Sequence, residues 1–184
     1  MPILAPEPSL FPETLLDEPL PECGERHWWA VYTRARQEKS LARQLRAMAV
    51  PHYLPLVPKV SSVGGRRVKS LLPLFSSYLF MYATDHERIE ALSTQRVAHL
   101  FRAPEDSDLV RDLRNVRMLI ASGAPLTVES RLEAGQRVRV KSGALMGLEG
   151  TILARRGEDR LLVAVEFLQQ GVSVLISDFQ VEPI

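Results

Sequence analysis

Cysteine is almost absent from this 184-residue chain, which carries a single thiol, Cys23. One cysteine cannot form a disulfide within the chain, so a disulfide scaffold is excluded and a reducing setting is expected. No CxxC pair and no Cys/His cluster with metal-ligand spacing occurs, so neither a metal nor another cofactor is expected. No apolar run reaches the ~20 residues of a membrane span, and the first residues lack the pattern of a signal peptide. The sequence therefore predicts a cytoplasmic protein that does not engage a membrane.

Catalytic patterns are also missing. The chain has no glycine loop of the phosphate-binding type, and its serine doublets at 61–62 and 76–77 lack the context of a catalytic triad. The cluster Asp85, His86 and Glu87 follows Thr84, and this spacing matches a capping box at the start of a helix rather than acid–base chemistry. We therefore expect a protein that is not an enzyme.

Acidic residues are scarce in the first half once the N-terminal tail is passed. Residues 1–25 carry six acidic side chains and no Lys or Arg, whereas residues 26–82 carry ten basic side chains and one acid, Glu38. Such a concentration of positive charge suggests a surface for a polyanion, although a solvated basic face is the alternative.

The tail itself, residues 1–25, holds six of the 13 prolines and is predicted to be disordered. Proline removes backbone donors, and net acidic charge disfavours collapse onto a core. The alternative is that the tail docks as a short segment through its hydrophobic side chains, Leu10, Phe11, Leu15 and Leu16.

Residues 26–120 alternate between strand and helix patterns. Strands are predicted at 28–33, 53–57, 68–72, 74–82 and 97–101, with helices at 36–48, 85–92 and from 108 onward. The paired glycines Gly64 and Gly65 predict a hairpin turn, and the hairpin carries Lys59, Arg66, Arg67 and Lys69. This order predicts an α+β domain in which helices cover an antiparallel sheet.

The remaining chain has an all-β texture. Residues 121–132, with Gly123 and Pro125, are predicted to be a linker, and residues 133–184 to form a second domain. Residues 136–141 alternate strictly between polar and apolar, and further short strands are predicted near Ile152, at 161–167 and at 172–176. About five strands in ~50 residues predict a small barrel.

Both halves resemble the NusG family of transcription elongation factors. The second half resembles its KOW module, an SH3-like five-stranded barrel, in a glycine and valine pattern that reads Gly135, Val138, Val140, Gly143, Gly147, Gly150 and Ile152. The first half resembles the NusG N-terminal domain in its Trp-rich opening strand, basic helix, Gly-Gly hairpin and the run at 73–80. Within the family, Ser76 and Ser77 before Tyr78 resemble specialised paralogues of the RfaH kind more than the housekeeping factor.

The resemblance implies a factor that binds the clamp helices of the largest RNA polymerase subunit and suppresses pausing or termination. The residues that match the polymerase-binding depression are Tyr32, Phe75, Tyr78 and Phe80. Aromatic side chains provide large contact area at low entropic cost. Ordinary core packing is the alternative, and it weighs most for Phe75 and Phe80.

The resemblance also implies contact with non-template DNA in the transcription complex. The matching residues are Arg34, Arg36, Gln44, Gln95 and Arg96. Guanidinium groups pair with phosphates and stack on unpaired bases, and Gln can read a base edge, although each of these side chains could simply be solvated.

The KOW domain of the family recruits a partner, either Rho or a ribosomal protein of the small subunit. The matching loop is Ala144, Leu145 and Met146, where an exposed Leu-Met pair would suit protein contact and barrel packing is the alternative. A monomer is expected.

A ribosome-associated RNA-binding KOW protein is the alternative function. Charge argues against it, because the chain from Gly123 onward has seven basic and eight acidic residues. A domain that wraps RNA would usually be strongly basic.

Overall fold

Two compact units make up the chain in the computed structural model, residues 1–103 and residues 104–184. The structure describes residues 8–19, 24–132, 134–155, 157–176 and 180–184. Residues 1–7 and 20–23 of the predicted tail, including Cys23, lie outside the described residues.

In its described residues, the first unit is a five-stranded antiparallel sheet with two helices and a separate hairpin. Its elements are β1 (Leu10–Phe11), β2 (His27–Thr33), α1 (Glu38–Ala47), β3 (His52–Tyr53), β4 (Leu56–Val63), β5 (Arg66–Pro73), β6 (Tyr78–Ala83), α2 (Asp85–Ser93) and β7 (Val97–Arg102). The strand order of the sheet is β1-β3-β6-β2-β7, and β4 pairs only with β5. The predicted α+β class is confirmed.

One face of this sheet carries α1 and α2. Leu41 and Leu45, one turn apart on α1, are fully buried in a cluster with Val31 of β2 and Met81 of β6, and Ala91 of α2 joins the same cluster. Burying such a Leu side chain contributes about 1.5–3 kcal/mol to folding.

The predicted capping box begins α2. The Thr84 side chain accepts a hydrogen bond from the Glu87 amide at 3.2 Å, and the Glu87 carboxylate accepts from the Thr84 amide at 2.8 Å. Two amides that the helix itself cannot satisfy are thereby paired. This part of the prediction is confirmed.

The prediction of a disordered tail is corrected for residues 8–19. Leu10 and Phe11 form β1, which pairs with Tyr53 and His52 of β3, and Leu16 is fully buried. The guanidinium of Arg46 lies 5.8 Å from the centre of the Phe11 ring. Apolar side chains that find a sheet edge and a core outweigh the acidic, Pro-rich composition around them.

The strand predicted at 74–82 is shorter than expected. Residues 74–77 form a turn in which Ser77 has a φ of 65°, and β6 begins only at Tyr78. Backbone in this left-handed region cannot continue a strand.

The described residues of the second unit form one long helix and six antiparallel strands. Its elements are α3 (Asp106–Ala121), β8 (Thr127–Glu129), β9 (Arg137–Val140), β10 (Glu149–Arg155), β11 (Glu158–Val165), a 3₁₀ turn (Glu166–Leu168), β12 (Gln170–Leu175) and β13 (Val181–Pro183). The strand order is β13-β9-β10-β11-β12-β8.

The compact units divide at 103/104, earlier than the predicted domain boundary near 120. The helix α3 packs against β11, and the buried carboxylate of Asp112 accepts a hydrogen bond from the Glu166 amide at 3.0 Å. The predicted linker 121–132 contains β8, in which Val128 pairs with Val172 of β12. These contacts join distant parts of the sequence, so the periodicity of a single segment does not reveal them.

Candidate functional site

A row of aromatic rings crosses three neighbouring strands of the first unit. Cross-strand partners share a face, and the register places Tyr32 of β2 between Tyr78 of β6 and His99 of β7. The ring centroids of Tyr32 and Tyr78 are 5.2 Å apart, those of Tyr32 and His99 are 6.5 Å apart, and those of His99 and Phe101 are 6.2 Å apart. We call these four residues the aromatic row.

The aromatic row is open to solvent at three of its members, Tyr32, His99 and Phe101. Tyr32 is 37% exposed and Phe101 is 46% exposed, whereas Tyr78 is half-buried. Burial, followed by the neighbouring Tyr32, raises the pKa of Tyr78, so its hydroxyl stays protonated and can donate a hydrogen bond. The row therefore combines apolar area with hydroxyl groups, which suits a protein interface.

Phe75 and Phe80 lie in the interior instead. They are 1% and 0% exposed, and their rings meet edge to face with centroids 6.4 Å apart. Their burial does not support the predicted direct contact with polymerase, and it fits the packing alternative. Tyr32 and Tyr78 are the members of the predicted set that reach the surface.

The turn before Tyr78 is fixed by a buried carboxylate. Glu38, the first residue of α1, is 8% exposed and accepts a hydrogen bond from the Ser77 amide at 2.7 Å. The Ser77 carbonyl accepts from the Thr33 amide at 2.8 Å, which joins the turn to the end of β2. Glu38 thus positions the aromatic row, a role that sequence reasoning missed.

The five residues predicted to contact DNA gather at one edge of the first unit. Arg34 and Arg36 lie in the loop between β2 and α1, Gln44 lies on α1, and Gln95 and Arg96 lie in the turn between α2 and β7. The Arg34 amide donates to the Arg96 carbonyl at 2.8 Å, and this bond joins the two loops. We call this group the basic edge.

Within the basic edge, the side chain of Arg96 joins neighbouring elements, whereas those of Arg34 and Arg36 have no acidic partner among the described residues. The Arg96 guanidinium donates to the Ser40 hydroxyl at 2.8 Å, to the Gln44 side-chain oxygen at 3.1 Å and to the Thr94 carbonyl at 3.0 Å. Arg34 and Arg36 are exposed, and no acidic side chain of the described residues pairs with either.

Two residues of the basic edge adopt an unusual backbone conformation. Arg36 and Gln95 both have a φ of 61°, which is rare for side chains of this type. Residues held in sparsely populated conformations cluster at binding sites, where the surrounding structure maintains them. Gln95 directly follows the last residue of the α2 cap, a position where a left-handed backbone commonly ends a helix.

The loop predicted to bind a partner in the second unit is only partly exposed. Leu145 is fully buried, so the expectation of an exposed Leu-Met pair is corrected, whereas Met146 is 67% exposed and Ala144 is also exposed. Gly143 and Gly147 have φ values of 87° and 88°, which turn the loop so that Leu145 points inward.

His99 and Phe101 were not singled out from the sequence, although a signal for them exists. Strict alternation along the predicted strand 97–101 would have placed both on one face. The partners of that face, Tyr32 and Tyr78, depend on sheet order, which the sequence does not specify.

The described residues contain no group of three His, Cys, Asp or Glu side chains arranged to hold a metal ion. No helix among them is long and apolar enough to cross a membrane.

The fold and the site define an α+β protein whose first unit presents an aromatic sheet face and a basic edge. A family model described as "Transcription termination factor nusG" matches residues 26–133, more than half of the chain. The chain belongs to the NusG family. A search of curated proteins found no match.

Proposed function

We propose that this protein is a transcription elongation or antitermination factor of the RfaH-like kind, which binds RNA polymerase through its first unit. Membership of the NusG family supports this proposal. The observation that carries it is the aromatic row, an exposed aromatic surface on a folded sheet whose shape is fixed by the buried Glu38.

The aromatic row binds the clamp helices of the largest polymerase subunit. Tyr32 and Phe101 supply exposed ring area, and the protonated Tyr78 hydroxyl supplies a donor for a backbone carbonyl or carboxylate of the partner. Rigid aromatic anchors lose little conformational entropy on binding, so a helix pair seated across the row can be held by few residues.

The basic edge contacts non-template DNA and holds it in a conformation that disfavours pausing. Arg34 and Arg36 provide guanidinium groups for phosphates and unpaired bases, and Gln95 is exposed beside them. Arg96 and Gln44 keep the two loops together, so they act on DNA contact through position rather than through charge.

The second unit is a KOW module that recruits Rho or a ribosomal protein of the small subunit. Met146 is the exposed apolar residue of its β9–β10 loop, and its flexible thioether adapts to a partner surface. The protein is not an enzyme in this proposal. It acts in the cytoplasm as a monomer, through binding alone and without a cofactor.

The test is binding of the full chain to its cognate RNA polymerase by biolayer interferometry. Tyr32→Ala and Tyr78→Ala should each weaken binding at least about 30-fold, since an interface hot spot contributes ~2 kcal/mol or more. The double variant should bind more weakly than either single variant. Ile89→Ala is the matched control, because Ile89 is 57% exposed on α2 and lies outside the aromatic row. Circular dichroism verifies that each variant is folded.

Elongation assays on a paused template separate the two surfaces. Arg34→Gln with Arg36→Gln should keep polymerase binding and lose pause suppression, because only the DNA contact is removed. Wild-type affinity of a folded Tyr32/Tyr78 double variant would refute the polymerase surface. Co-purification with ribosomal subunits instead of polymerase would favour the ribosomal alternative.

A further inference from the structure

The β4–β5 hairpin is a two-stranded ribbon outside the main sheet of the first unit. Its register runs without interruption from Leu56 opposite Pro73 to Val63 opposite Arg66, and no other strand of the described residues pairs with it. Leu56 is buried and Leu71 packs against the core, so the root is anchored. From 58 to 69 almost every residue is exposed, so the outer part of the ribbon meets solvent.

The ribbon carries positive charge and no negative charge. Its cations are Lys59, Arg66, Arg67 and Lys69, all of them exposed. Residues 39–84 include no Asp or Glu, and none of these four cations pairs with an acidic side chain of the described residues. Unpaired cations without neighbouring acids create a positive potential that attracts a polyanion.

The register distributes these cations over both faces of the ribbon. Arg66 lies opposite Val63, and Lys59 lies four pairs further along the register, which places it on the same face as Val63. Arg67 and Lys69 lie on the other face, where they oppose Ser62 and Val60. A flat surface would be met by one face only, whereas two charged faces suit a groove with a phosphate backbone on each side.

The dimensions of the ribbon select the type of groove. A β-sheet with its side chains is about 10 Å thick, and the major groove of B-form DNA is about 12 Å wide. The minor groove, at about 6 Å, is too narrow for it, and the major groove of A-form RNA is deep and narrow. Gly64 and Gly65 lack side chains at the tip, so the backbone can approach the base edges closely.

We propose that the tip of the β4–β5 ribbon enters the major groove of duplex DNA, with its two charged faces against the two phosphate backbones. Arg66 and Arg67 lie next to the tip and enter first, and Lys59 and Lys69 contact phosphates nearer the rim. The exposed Val63 provides an apolar contact for a thymine methyl group. This surface is separate from the basic edge, and it binds duplex without RNA polymerase.

The test measures affinity of the polymerase-free protein for a fluorescein-labelled 24-base-pair DNA duplex by anisotropy over a range of salt concentrations. Each phosphate contact contributes roughly 0.9 to the slope of log K against log salt, so the variant K59Q/R66Q/R67Q/K69Q should flatten the slope by about 3 to 4. The matched control, R111Q/R137Q/R139Q/K141Q, changes net charge equally in the second unit. It should leave the slope within about 1, because these cations already pair with carboxylates.

Two half variants test the insertion itself. K59Q/R66Q and R67Q/K69Q each neutralise one face, and each should flatten the slope by roughly 2 if both faces lie against phosphates. Unlabelled duplex DNA should also compete at lower concentration than duplex RNA of the same sequence. The proposal is overturned by a wild-type slope in the folded quadruple variant, by an effect confined to one face, or by equal competition from duplex RNA.

Discussion

Asp112 allows a direct test of the hydrogen bond that joins α3 to the rest of the second unit. Its carboxylate is 6% exposed and accepts a hydrogen bond from the Glu166 amide, while Arg111 lies 3.6 Å from its other oxygen. Asp112→Asn keeps an acceptor for that amide and removes the charge. Asp112→Ala removes both, so the pair of variants separates the hydrogen bond from ionisation.

The direction of the pH effect follows from burial. Desolvation raises the pKa of Asp112, and the amide of Glu166 and the charge of Arg111 only partly oppose it. A carboxyl whose folded pKa lies above its unfolded value of ~3.9 stabilises the fold at low pH, and that contribution is lost as pH rises through the folded pKa. The unfolding free energy of Asp112→Asn should therefore exceed that of the wild type by an amount that grows as pH rises from about 4 to 7.

The size of the hydrogen-bond effect can be stated separately. Asp112→Ala leaves the Glu166 amide without its partner, and an unpaired buried donor costs about 1–3 kcal/mol. Relative to Asp112→Asn, the Ala variant should lose that amount of unfolding free energy at every pH where both are folded.

Two measurements localise the effect. Hydrogen exchange at the Glu166 amide should be faster in Asp112→Ala than in Asp112→Asn. The unfolding free energy of the second unit is measured by far-ultraviolet circular dichroism in urea, because Trp28 and Trp29, the only tryptophans in the sequence, lie in the first unit. Equal exchange rates in both variants, or an Asn variant with the wild-type pH dependence, would refute the reasoning.

Three further predictions concern stability and partner binding. Leu16→Ala should lower the unfolding free energy of the first unit by about 2–5 kcal/mol in urea. Glu13→Ala, at an exposed position, should change it by less than ~0.5 kcal/mol. Equal unfolding midpoints for the two variants would favour the prediction of a disordered tail. Thr84→Ala should cost about 0.5–2 kcal/mol in the same assay through loss of the α2 cap, and no change would show that the capping box is dispensable. Leu145→Ala should destabilise the second unit by about 2–5 kcal/mol, measured by far-ultraviolet circular dichroism in urea. Met146→Ala should leave stability unchanged and weaken partner capture. The reverse pattern would mean that Leu145 is the binding residue.

Local signals predicted the elements whose formation depends on neighbouring residues. The capping box at Thr84 and Glu87 predicted the start of α2, and the paired glycines Gly64 and Gly65 predicted the hairpin turn, where both have positive φ. Each of these features is satisfied within a few residues, so the sequence contains the whole reason for it.

Features that depend on distant partners were not predicted. Composition marked residues 8–19 as disordered, yet Leu10 and Phe11 pair with Tyr53 and His52, which lie 43 and 41 positions away, and Leu16 is fully buried. The contact of Asp112 with Glu166 likewise joins residues 54 positions apart, and Leu145 is buried because two glycines turn its loop inward. Periodicity within a segment indicates that a face will be buried, but it does not identify the partner.

The role of Glu38 in the candidate site could not be predicted from the sequence, because it depends on a distant partner. In the sequence it is the single acid among ten basic residues from 26 to 82, and charge alone would place it in solvent or against a neighbouring cation. In the structure the Ser77 amide, 39 positions away, donates to it, so the first residue of α1 fixes the turn that presents Tyr78. A buried carboxylate that accepts a backbone hydrogen bond holds its partner more firmly than a neutral acceptor does. Glu38, the single acid of this basic segment, thus aligns the aromatic row.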